Sequence, residues 1–62
     1  MTMNKVFNPN PADIGSVCIS VTDDEIKILR EENPDKDYTI LDYANELWVF
    51  EEDRNFFVDL LS

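Results

Sequence analysis

The sequence predicts a small α+β domain of order β-α-β-β-α, a three-stranded, mainly antiparallel sheet with two helices packed on one face. Three observations carry this expectation. Residues 16–21 alternate apolar and polar with a period of two, Thr22-Asp23-Asp24-Glu25 spells a helix start, and two runs of β-forming residues flank Tyr43-Ala44-Asn45-Glu46. A split β-α-β arrangement would place the third strand, apolar on both faces, between the other two.

Residues 1–15, MTMNKVFNPNPADIG, hold two prolines, three asparagines and the only glycine, and no periodicity runs through them. They read as an irregular arm preceding a single compact domain, 16–62. Val6 and Phe7 are the arm's bulky apolar pair besides Ile14, suited to pinning it to the core or beginning a short edge strand. Pro9 and Pro11 would stop either element.

From Ser16 to Val21, Val17, Ile19 and Val21 fall on one side of an extended chain and Ser16, Cys18 and Ser20 on the other. That is the pattern of a half-buried strand. In the capping box that follows, the Thr22 side chain bonds the backbone N–H of Glu25 while Glu25 reaches back. Asp23, Asp24 and Glu25 then lie at the positive end of the helix dipole and Arg30 lies near the negative end. Ile26, Leu29 and Ile28 supply the buried stripe of a helix over about 23–32. Asn33-Pro34-Asp35 ends it, because a residue before proline avoids helical angles.

Residues 38–42 and 47–50 are rich in β-formers, and Asn45 between them tolerates the left-handed conformation of a tight turn, so a hairpin is expected. The competing architecture is a strand plus helices with one long C-terminal helix, 42–61. Tyr43, Leu47, Phe50, Phe57 and Leu61 match helical spacing, and no Gly or Pro interrupts the stretch. The hairpin is preferred because Trp48-Val49-Phe50 is a poor helical interior and a good central strand. After it, Phe56, Phe57, Leu60 and Leu61 recur at intervals of four, a short amphipathic helix with Asp53 as its cap.

Composition narrows function. The chain has 62 residues, near the lower size limit for a core that stabilises itself, and its single cysteine excludes an internal disulfide. Core packing or oligomerisation must hold it together. No run approaches the roughly 18 apolar residues of a membrane span, and no basic stretch followed by an apolar one marks a secretory leader, so a cytoplasmic location is expected.

Without histidine there is no nucleophilic triad and no histidine-bearing zinc site, and one glycine cannot build a phosphate-cradling loop. Cys18 stands between Val17 and Ile19 with no sequence neighbour to lower its pKa, which suits a packing residue. Asp23-Asp24-Glu25 and Glu51-Glu52-Asp53 lack the spacing that wraps a hard cation, and helix-terminus stabilisation accounts for both. No catalytic, metal or cofactor-binding residues are therefore assigned, and no cofactor is expected.

Fourteen Asp and Glu stand against five Lys and Arg, a net charge of −9. Such a field repels nucleic acid and anionic lipid and speeds association with basic surfaces. A solubilising role is the plain reading of it. The functional reading is competitive nucleic-acid mimicry, in which carboxylates on a rigid body occupy a groove built for phosphates. The candidate face comprises Asp35, Asp37, Asp42, Glu46, Glu51, Glu52 and Asp53 on the hairpin and its flanking loops, extended by Asp24, Glu31 and Glu32 of the first helix. Trp48 joins the partner-binding set as an aromatic anchor. Tyr38, Tyr43, Trp48, Phe50, Phe56 and Phe57 are many rings for so small a core, and a sheet covered on one side exposes the other.

In shortness, acidity and lack of catalytic residues the chain resembles the small inhibitors that bacteriophages direct against host nucleases, restriction systems, CRISPR complexes or transcription machinery. The likeness is compositional, rests on no alignable motif and transfers no residue roles. It implies a protein partner with a basic surface, such as a nucleic-acid-processing enzyme, in the host cytoplasm. The alternative is a structural, assembly or regulatory protein acting through an exposed aromatic patch, with a homodimer as one form of it.

Overall fold

The computed structural model describes residues 8–62, so the expectations placed on Val6 and Phe7 lie outside the described residues. Strand β1 (Ser16–Ser20) leads into helix α1 (Asp23–Glu32), then strand β2 (Tyr38–Leu41), strand β3 (Glu46–Phe50) and helix α2 (Arg54–Leu60). The sheet order is β1-β3-β2, and both neighbours run antiparallel to the central β3. The expected β-α-β-β-α fold is the one observed, with the third strand in the middle.

Register explains which residues meet on the covered face of the sheet. Val17 pairs with Val49, Ile19 with Leu47, Tyr38 with Val49 and Ile40 with Leu47, which places all six side chains on the face that the helices cover. Ile26 and Leu29 of α1 and Phe57 of α2 pack onto it, and Leu29, Leu47, Val49 and Phe57 are 0 % exposed. Leu60 and Leu61 close its edge. Ile28 departs from the expected stripe: at 38 % exposure it turns away from the sheet. Two positions from Ile26 on a 3.6-residue helix is about 200° of rotation, so both cannot face the core.

Local chemistry places the breaks where the sequence suggests. The Thr22 hydroxyl accepts from Glu25 N–H at 3.1 Å and the Glu25 carboxylate accepts from Thr22 N–H at 2.8 Å, a complete capping box. Asn33 closes α1 in the left-handed region with φ 45°, its N–H donating to the Leu29 carbonyl at 2.8 Å. Asn45 takes the same conformation, φ 53°, at the end of a single 3-10 turn, Asp42–Ala44, that joins β2 to β3. Asparagine adopts this region more readily than bulkier residues. A long 42–61 helix is thereby excluded: residues 46–50 form the central strand.

One expectation at α2 is corrected. Asp53 occupies the cap position, but its side chain makes no capping hydrogen bond. Its carboxylate lies 3.6 Å from the Lys36 ammonium instead. A 3-10 turn, Glu51–Asp53, precedes α2 and absorbs its start, so the cap loses the geometry that would aim its side chain at the helix N–H groups.

Residues 8–15 contain no helix or strand. They are tied down nonetheless: Asn10 N–H donates to the Ser16 hydroxyl at 3.2 Å, Glu51 N–H donates to the Gly15 carbonyl at 3.0 Å, and Pro9 is fully buried. Among the described residues no helix is long and apolar enough to cross a membrane.

Candidate partner-binding surface

Antiparallel pairing of β2 and β3 decides which acids meet. Tyr38 pairs with Val49, so the residues just before Tyr38 and just after Phe50 emerge at the same end of the sheet. Asp35 and Asp37 come from the first segment, Glu52 and Asp53 from the second, and together with Asn33, Pro34 and Lys36 they line an open cleft of about 460 Å³. Glu51 sits beside it, exposed, with its backbone fastened to Gly15.

Lys36 is the cleft's cation. Its backbone N–H donates to the Pro34 carbonyl at 2.8 Å, tightening the turn, and its ammonium rests 3.6 Å from Asp53 and 5.3 Å from the centre of the Phe56 ring. A carboxylate on one side and an aromatic face on the other are both attractive to an ammonium. Phe56 in turn meets Phe57 edge-on at 5.1 Å, and Phe57 meets Tyr38 at 5.6 Å, so the ring beneath the Lys36 ammonium is in contact with the core. Sequence reasoning passed over Lys36, whereas Phe56 was among the rings counted as too many for the core, and it is 41 % exposed.

The other candidate acids lie elsewhere. Asp42 is at the far end of β2, where both its oxygens accept from one Arg30 nitrogen at 2.8 Å. Glu46 begins β3, about 17 Å along the strand from Glu51 at ~3.4 Å per residue. The face expected to be contiguous is therefore two acidic poles joined by a strand. Close to the Asp42 pole, the Asn45 amide donates to Asp23 at 2.9 Å, and Asn45 O accepts from Val21 N–H at 3.0 Å, linking the hairpin turn to the start of α1. Asp24, Glu31 and Glu32 are exposed on α1.

Between the poles lies the sheet face that neither helix covers. Alternation along the strands brings Ser16, Cys18, Ser20, Thr39, Leu41, Glu46, Trp48 and Phe50 to it. Trp48 stands at its centre, flanked by Cys18 and Thr39 as cross-strand neighbours, and it is half-buried. Its indole N–H donates to the Glu46 carboxylate at 3.0 Å. The Cys18 thiol is raised above its ordinary pKa, first by partial burial and then by the Glu46 carboxylate, both of which disfavour a thiolate. Elsewhere Tyr43, on the hairpin turn, is 87 % exposed.

Among the described residues no three carboxylate or thiol side chains converge closely enough to hold one metal ion. No protein-family model, curated protein or solved structure matches the chain. Among the described residues, the structure defines a small α+β domain with carboxylates on its turns, on α1 and at the start of β3, and a half-buried tryptophan on the sheet face that neither helix covers.

Proposed function

We propose that the chain is a non-catalytic acidic binding protein that docks on the basic nucleic-acid-binding surface of a protein partner, as a phage-type inhibitor acting by DNA mimicry does. The observation that carries this reading is the cleft: Asp35, Asp37, Glu52 and Asp53 project from two turns anchored to the central strand pair, with one cation, Lys36, among them. Carboxylates held on a rigid frame meet an arginine- and lysine-lined groove without first losing conformational freedom, and each contact is a charge-assisted hydrogen bond.

Salt and charge reversal test it. Affinity capture from a bacterial lysate, eluted along a salt gradient, is expected to release a nucleic-acid-processing protein at high salt. Reversing Glu51 and Glu52 to lysine should weaken that capture at least about tenfold, while stability moves within about ±0.5 kcal/mol, as for ordinary surface changes. Capture that is indifferent to salt sinks the reading.

A second reading rests on a different observation, the half-buried Trp48 at the centre of a sheet face without helices. A structural, assembly or regulatory protein would use that ring as an apolar anchor, as a homodimer in its simplest form. Sedimentation at two protein and two salt concentrations separates the two, since apolar association would rise with protein concentration and respond little to salt.

A further inference from the structure

We propose that Ile14 is the apolar anchor of the docking surface, a side chain that enters an apolar pocket bordered by arginine and lysine on the basic protein partner. This rests on the docking reading above and adds a second feature that the partner's surface must carry.

Strand direction places Ile14 beside the acidic cleft. Ser16 pairs with Phe50 and Tyr38 with Val49, so the chain entering β1, the chain entering β2 and the chain leaving β3 meet at one end of the sheet. The first carries Ile14, the second Asp35 and Asp37, and the third Glu51, Glu52 and Asp53. Neighbouring strands lie about 4.8 Å apart, so roughly 10 Å separates the entries to β1 and β2 across that end. The Gly15 carbonyl, next along from Ile14, accepts from Glu51 N–H at 3.0 Å, which fastens the Ile14 turn to the acidic one.

Neither packing nor turn chemistry accounts for an isoleucine here. Ile14 is 100 % exposed, whereas Ile28, Phe56 and Val58, at 38 %, 41 % and 42 %, each cover more than half of their surface. It occupies a corner of the turn that Ser16 N–H closes on the Asp13 carbonyl at 3.0 Å, a place that Gly, Pro, Asn, Asp and Ser favour. That turn is held in place: Asp13 N–H donates to the Asn10 carbonyl at 3.0 Å, and the Asp13 carboxylate accepts from Gly15 N–H at 3.0 Å. A β-branched side chain on a fixed turn has few rotamers to lose, so ordering offsets little of what its burial by a partner contributes.

Charge selects what surrounds the pocket. Asp13 and the five acids of the two neighbouring segments outnumber Lys36 and Arg54, the cations of this end. An apolar pocket set in a basic surface complements that arrangement, and an anionic lipid surface does not. A second copy of this chain would bring the same acids against one another.

Intact wild-type, Ile14→Ser and Glu51→Lys chains are immobilised and challenged with bacterial lysate. The nucleic-acid-processing protein that the wild type retains is then purified, and its Kd for each chain is measured at several salt concentrations. Ile14→Ser is expected to weaken binding about tenfold or more at every salt concentration, the share of one buried isoleucine, with an unchanged salt dependence. Glu51→Lys is expected to flatten the salt dependence instead. Because Ile14 buries nothing in the free chain, the urea midpoint of Ile14→Ser should equal that of the wild type. With p-benzoylphenylalanine in place of Ile14, irradiation should crosslink the chain to a partner segment that holds apolar residues next to Arg or Lys. Equal affinities of the wild type and Ile14→Ser, or a crosslink to a segment without apolar residues, would overturn the anchor and leave the docking reading standing. A crosslink to a second copy of the chain would overturn it in favour of self-association. If the wild type retains no protein, or retains it regardless of salt, the docking reading falls and the anchor with it.

Discussion

The two faces of the sheet are built from the same three strands and do opposite things. On the helix side Leu47 and Val49 are 0 % exposed, beneath Leu29 and Phe57 that are also 0 % exposed, so stability concentrates there. On the other side the alternate residues of the same central strand, Glu46, Trp48 and Phe50, are all half-buried, and a carboxylate is held beside an indole. At that position the Glu46 carboxylate accepts from the indole N–H, which offsets part of the cost of its partial burial. The contrast teaches that β3 divides its residues by parity: Leu47 and Val49 are fully buried beneath the helices, and Glu46, Trp48 and Phe50 face the side that neither helix covers.

Truncation of the helix side should have the largest effect. Phe57→Ala removes a ring in contact with Tyr38 and Phe56, at a cost of about 3–5 kcal/mol. For a domain of this size, with about 0.05–0.15 kcal/mol per residue of net stability, that is most of what holds it folded. Urea unfolding followed by circular dichroism should show a variant largely unfolded without denaturant. Trp48→Ala on the opposite face should cost about 1 kcal/mol, the share of a half-buried side chain. If the two variants unfold at the same urea concentration, the division of labour between the faces is wrong.

Thr22→Ala sharpens the comparison from the helix side. It removes the hydroxyl of the capping box and should lower stability by about 1 kcal/mol, read as a fall in urea midpoint with an unchanged slope. Thr39→Ala, on the face that neither helix covers, should leave that midpoint nearly unmoved.

The smallest expected effect is a dependence on pH. Because the Cys18 thiol is raised in the folded chain, its neutral form favours folding. That contribution is complete below the free thiol's value of 9.0 and is lost as pH rises through the folded value. Thermal melts should therefore show a small loss of stability on the alkaline side of pH 9.0, and Cys18→Ser should remove it. A wild-type profile that matches the Cys18→Ser profile would show that this face leaves the thiol unperturbed.

The fold was largely legible. Each break in the chain is decided by neighbours in sequence: the Thr22–Glu25 box opens α1, Asn33 closes it, and Asn45 turns the hairpin in the left-handed region. The period of two in Ser16–Ser20 and the β-preference of Trp48-Val49-Phe50 pointed to strands, and those strands formed. Asp53 was misread as a side-chain cap because a capping motif looks the same in sequence whether its oxygen meets helix N–H groups or, as here, a lysine from another segment.

The site was legible only by residue type. Composition determined that this protein carries excess negative charge and no histidine, and local patterning determined its strands, helices and turns, because both depend on chemistry within a few residues. Where the charges stand relative to one another was decided by the β1-β3-β2 pairing. That pairing gathers Asp35, Asp37, Glu52 and Asp53 into one cleft, sends Asp42 to Arg30 at the other end, and brings Cys18 and Thr39 to either side of Trp48. Strand register depends on which residues lie opposite one another across the fold, and only the folded chain contains that information.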